Sequence, residues 1–138
     1  MVAKAVLNSL RPTEPPTISS VTGLGASEND NIIIDGSGFG FQQPFNGDSP
    51  YIQLADVSAG WNAGNSGTLP SGNCQVSSDG DWVGVNVTSW TNTQVHIEGF
   101  TGSYGGGWSL NDGDHVQVEV WNAQTSAGPA CYMVTVRG

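Results

Sequence analysis

The stretch Asp114-His115-Val116-Gln117-Val118-Glu119-Val120-Trp121 alternates apolar with polar residues. Successive side chains of a β-strand point to opposite faces, so Val116, Val118 and Val120 share one face. His115, Gln117, Glu119 and Trp121 share the other. The valines call for a core and the polar residues for water. Trp121 is the exception, a large aromatic on the face expected to be wet. It is either a strand-end accident or part of a surface built to hold something flat.

The same alternation recurs through the chain. In Asp81-Trp82-Val83-Gly84-Val85-Asn86-Val87-Thr88 the three valines face inward, while Trp82, Gly84, Asn86 and Thr88 face out. Val95 and Ile97 point inward in Thr93 to Glu98. Ile52 and Leu54 do so after Tyr51, leaving Tyr51 and Gln53 outward. Ile18 to Val21, Asn31 to Asp35 and Cys131 to Val136 complete a set of about seven short strands separated by turn signals, the pattern of a β-sandwich. No stretch carries the apolar spacing of an amphipathic helix.

The composition agrees. A chain of 138 residues with 20 glycines and only 11% charged residues reads as one all-β domain with many turns. Arg11-Pro12-Thr13-Glu14-Pro15-Pro16-Thr17 reads as an extended linker, because proline fixes φ and removes an N–H. Residues 1–16 are therefore expected to be an N-terminal linker and residues 17–138 the module. Three basic residues against twelve acidic ones give a net charge of −9. Nucleic acid, anionic membrane and acidic polysaccharide are disfavoured as partners, since recognition of such polyanions relies on Lys and Arg. A neutral ligand is not. No apolar run reaches the length of about 18 residues needed to span a bilayer, and no signal peptide is evident. Cys74 and Cys131 are the only cysteines: one disulfide, suited to an exported protein, or two buried thiols.

Five tryptophans and three tyrosines are the main functional signal. The apolar face of a pyranose ring stacks on indole, and polar neighbours bond its hydroxyls. Trp82 and Trp121 qualify by strand phase. Trp61 sits in a long small-residue loop over residues 58–73, and Tyr104 and Trp108 in the glycine-rich loop after Phe100. Tyr51 joins them as an outward strand residue. Trp90, at a strand end, is expected in the core, and Tyr132 packed at a sheet edge. Asp79-Gly80-Asp81 and Asp112-Gly113-Asp114 are either calcium ligands or plain hairpin turns. Gly36-Ser37-Gly38-Phe39-Gly40 has no helix after it and is no phosphate cradle. Glycoside hydrolysis needs two carboxyl groups at a set separation. Glu98 and Glu119 lie at outward positions that would leave them solvated, so no enzyme is expected. His96 and His115 read as surface residues, and the sequon Asn86-Val87-Thr88 falls on a strand.

Pro16-Thr17-Ile18, Ile32-Ile33-Ile34-Asp35-Gly36-Ser37-Gly38-Phe39-Gly40, Trp90-Thr91-Asn92-Thr93-Gln94-Val95-His96-Ile97 and Val116 to Val120 together resemble the IPT/TIG immunoglobulin-like family over residues 16–136. More narrowly, the chain resembles cellulose- and β-glucan-binding modules of soil bacteria. The long Trp61 loop and the tryptophan content depart from the common domain. The resemblance implies an immunoglobulin-like sandwich of two antiparallel sheets, monomeric and secreted as part of a glycoside hydrolase. It would be non-catalytic and would bind β-1,4-glucan through exposed aromatics. The competing expectation is a structural spacer or adhesion domain without a ligand, which would bury its tryptophans.

Overall fold

A computed structural model describes residues 15–25, 30–64, 83–102, 104 and 109–137. Among them there are nine strands and no helix: β1 (Thr17–Thr22), β2 (Asn31–Ser37), β3 (Phe45–Gly47), β4 (Ile52–Asp56), β5 (Trp61–Ala63), β6 (Val83–Trp90), β7 (Gln94–Gly102), β8 (His115–Val120) and β9 (Ala130–Thr135). The all-β expectation is met. β3 and β5 are additions of three residues each, and β5 falls in the 58–73 segment expected to be a loop.

The strands form one continuous path, β1-β2-β7-β6-β5-β4-β8-β9, with β3 paired to β6 off the path. Every pairing in it is antiparallel except one, the single parallel pair Ala63–Val83 that joins β5 to β6. The two ends of the path approach each other. Gly25 bridges Arg137 in parallel, and the Arg137 N–H donates to Leu24 O at 3.3 Å. The sheet thus curls into a nearly closed, barrel-like arrangement.

Inside lies one core. It collects the inward residues the alternation identified, Ile52 and Leu54, Val83, Val85 and Val87, Val95 and Ile97, Val116, Val118 and Val120, together with Ile32 and Ile34 of β2. Burial of each such side chain contributes roughly 1.5–3 kcal/mol. Trp90 is buried as expected, and its Nε1–H donates to Phe39 O at 2.9 Å. The glycine-rich exit of β2 now has a structural reason. Phe39 drops into the core, and Gly40 takes a φ of +73° where a side chain would collide with Gln124. Gln124 clamps this loop from the far end of the sequence, accepting from Phe41 N–H at 2.8 Å and donating to Phe41 O at 2.8 Å.

Candidate functional site

Among the described residues an exposed polar surface lies on the outer face of β2, β7, β6 and β3. The register places His96 of β7 opposite Ile33 of β2, Glu98 opposite Asn31 and Gln94 opposite Asp35. On the other flank Asn86 of β6 stands opposite Asn46 of β3. The pairing of β6 with β7 shifts register around Val87, so Asn86 reaches across by its side chain, donating to Glu98 O at 3.3 Å. Gln94 donates to Asp35 Oδ1 at 3.0 Å. Among the described residues the side chains of Asn46, His96 and Glu98 make no hydrogen bond, so their capacity faces solvent.

This face ends in a cleft of about 420 Å³ lined by Pro44, Phe45, Asn46, Asn86, Val87 and Thr88. It exists because β3 closes on β6, and that closure requires glycine. A Cβ at Gly84 would stand 2.7 Å from Gly47 Cα. Phe45 is half-buried, packs against the core and lines the cleft, while Phe41, on the loop before β3, is 55% exposed. Amide donors and acceptors beside a partly exposed ring can bind a neutral, hydroxyl-rich ligand.

The other half of the sheet has a second set of polar residues, all buried. Gln53, Asn62 and Glu119 form a row across β4, β5 and β8: Asn62 Nδ2 donates to Gln53 Oε1 at 2.9 Å, and Gln53 Nε2 to Glu119 Oε1 at 2.6 Å. Glu119 Oε2, Asn62 Oδ1 and the Trp121 Nε1–H are buried without a partner. Burial pushes the Glu119 carboxyl up from 4.5 to about 7, the Gln53 hydrogen bond offsetting only part of the shift. Glu119, Gln117 and Gln53 were expected in water by their phase, and all three are corrected here: the outward face of β8 and β4 is covered.

A carboxyl pair flanks this row. Asp56 ends β4, is almost fully buried, and accepts from Ala59 N–H at 2.9 Å. Its Oδ2 has no donor of its own, and its carboxyl meets that of Asp114. Two carboxylates cannot bond each other, so the contact is satisfied when one proton is shared. Burial first, and then the Asp114 contact, raise Asp56 from 3.8 to about 7. The hydrogen bond from Asp56 leads the causes that lower Asp114. Asp112 is exposed, and Asp79 and Asp81 lie outside the described residues. Among the described residues no group of three or more His, Cys, Asp or Glu side chains gathers as a metal site.

The aromatic platform expected from the sequence is not what the described residues present. Trp121 is 1% exposed and Trp61 5%, so both expectations of exposure are overturned. Trp121 fails because the face it shares with Glu119 is covered. Trp61 fails because its loop contains β5, which inserts between β4 and β6. Its ring packs edge-on against Phe100 and Tyr104 at centroid distances of 6.4 and 6.0 Å, and its Nε1–H donates to Ser109 O at 3.3 Å. Tyr104 is stacked on Phe100 at 5.0 Å, and its hydroxyl accepts from Leu110 N–H. Tyr51 is half-buried against the core. Trp82 and Trp108 lie outside the described residues. Tyr132 packs partly buried on edge strand β9, as expected.

Of the carboxylates weighed for catalysis, Glu98 is exposed on β7 and Glu119 is buried on β8, strands that do not pair. Cys131 is disulfide-bonded. Cys74, the chain's other cysteine, lies outside the described residues. What the sequence reading missed is the cleft. Asn86 and Thr88 were correctly placed outward, but Phe45-Asn46-Gly47 is too short for any periodicity to mark it as the strand that completes the site. No protein-family model, curated protein or solved structure matches this chain.

Proposed function

We propose that this chain is a non-catalytic module that binds a neutral β-1,4-linked glucan and holds an attached glycoside hydrolase at the polymer. The observation that carries the reading is the exposed face of Asn46, Asn86, Thr88, Gln94, His96 and Glu98 leading to the Phe45 cleft. Its side chains are mostly uncharged and bond hydroxyls well, and the net charge of −9 turns away polyanions. Among the described residues stacking falls to Phe41 and the partly buried Phe45, while Trp82 and Trp108 lie outside them. The disulfide at Cys131 fits an exported protein. The benefit to the enzyme is effective concentration at its substrate. We read the strand groups β1-β2-β7-β6 with β3, and β5-β4-β8-β9, as the two sheets of an immunoglobulin-like sandwich pinched together at its edges.

A structural spacer is the second reading, favoured by one observation: Trp61, Trp90 and Trp121 are all buried. Affinity electrophoresis separates the two. The glucan reading expects retardation in gels containing hydroxyethylcellulose or mixed-linkage β-glucan, none in polygalacturonate, and a loss of retardation in the double variant Asn46→Ala, Asn86→Ala. Unretarded migration in every neutral polysaccharide sinks it and leaves the spacer.

A further inference from the structure

A groove among the described residues lies away from the polar face, along the seam where the two ends of the strand path meet. It measures about 680 Å³. Val21 and Leu24 line one wall, and Tyr132, Met133 and Val134 the other, with Arg137 at the end. β1 and β9 run alongside without a ladder between them. They are held together at one end by the Gly25–Arg137 bridge. At the other, Pro16 packs so close to Gly128 that a Cβ there would stand 2.9 Å from Pro16 Cγ.

We propose that this seam binds an amphiphilic monoanion, an apolar chain ending in one carboxylate, with the chain along Val21, Leu24, Tyr132, Met133 and Val134 and the carboxylate on the Arg137 guanidinium. The proposal is independent of the glucan reading and uses different residues.

Three observations select this occupant. The volume and the mostly apolar lining with one charged group are those of a small-molecule site. Met133, at the rim, is 49% exposed, so apolar surface is left open to water at the place a tail would cover. Arg137 is the only Lys or Arg among the described residues, and its guanidinium makes no ion pair or hydrogen bond with any of them. In a chain of net charge −9 that single cation attracts one anionic group at short range, while a polyanion is repelled by the rest. A peptide strand does not fit. Just past the ends of β1 and β9 the parallel Gly25–Arg137 bridge holds the chain at one interstrand spacing, about 4.8 Å, and a strand inserted there needs roughly twice that.

The test titrates decanoate, below its micelle concentration, into the whole chain and follows backbone amide shifts by NMR. Decanol serves as the neutral control. Decanoate is expected to shift the amides of residues 21–25 and 132–137, and to bind more tightly than decanol. Arg137→Gln is expected to weaken decanoate by about tenfold or more, the worth of a hydrogen bond to a charged group, and to leave decanol unchanged. Folding should survive this change, because the seam is fastened by the backbone N–H of Arg137 and not by its side chain. Met133→Glu, at the exposed rim, should also weaken decanoate. Absence of decanoate shifts, shifts confined to other surfaces, or equal affinity in Arg137→Gln would each overturn the proposal.

Discussion

The outer faces of the two halves of the sheet start from the same sequence pattern and end in opposite environments. On β6 and β7 the residues out of phase with the core, Asn86, Thr88, Gln94, His96 and Glu98, meet solvent to differing degrees. On β4 and β8 the equivalent residues, Gln53, Gln117, Glu119 and, past the strand end, Trp121, are buried. The first set can offer hydrogen bonds to a ligand. The second must satisfy them internally and only partly does so, since Glu119 Oε2 and Trp121 Nε1 have no partner. Phase tells which side of a strand a residue occupies. Whether that side is wet is a property of what lies over it, and the energetic consequence is large: a polar group that is neutral in water becomes a proton-binding site when covered.

The largest effect that sharpens this contrast is on tryptophan. Trp90→Ala should destabilise the fold by about 3–5 kcal/mol, because it leaves a cavity in the core and removes the hydrogen bond to Phe39 O, which keeps only the Ala123 N–H. Trp121→Ala should cost a similar amount, on the order of 3 kcal/mol, although its phase marks it as a surface residue. Denaturant melts of the two variants measure this. A Trp121→Ala protein as stable as the parent would mean that the second face is open after all.

The next effect is on pH. Glu119 titrates near 4.5 when unfolded and near 7 when folded, so the folded chain holds an extra proton between those values. Its protonated contribution is complete below about pH 4.5 and is lost as pH rises through about 7, so stability should fall by about 2–3 kcal/mol over that window. Asp56, also raised to about 7, acts in the same direction. The melting temperature should therefore be higher at about pH 5 than at about pH 8, and Glu119→Gln should flatten the difference and stabilise the alkaline side. A melting temperature that rises toward pH 8, with Glu119→Gln no different from the parent, would place Glu119 in water.

On the exposed half the expected effects on folding are small. Asn86→Ala and His96→Ala should each change stability by no more than about 0.5 kcal/mol, as exposed positions outside the core. Under the proposed glucan-binding function, Asn86→Ala should weaken binding by about 1 kcal/mol or more. Smallest of all is salt. A neutral ligand releases no counterions, so raising salt from about 50 to about 500 mM should leave glucan affinity unchanged within error. A steep salt slope would point to a charged polymer.

The amino-acid sequence by itself determined the all-β class, the inward residues and the core role of Trp90. Those features depend on strand phase and on residue volume, which are local. It also marked Asn86, Thr88, His96 and Glu98 as outward, and that half of the candidate site was legible. Tertiary structure alone decided the rest. β3 and β5 are three residues long, too short to show a period, yet one builds the cleft and the other buries Trp61. Gln53 meets Glu119 across 66 residues of chain, and the Asp56 carboxyl meets that of Asp114 through the pairing of β4 with β8. The seam groove arises where the first and last strands of the path come together. Alternation is written by the backbone of one strand, but solvent exposure, a shared proton and a groove each require a second segment, and which segment arrives is fixed only when the sheet curls on itself.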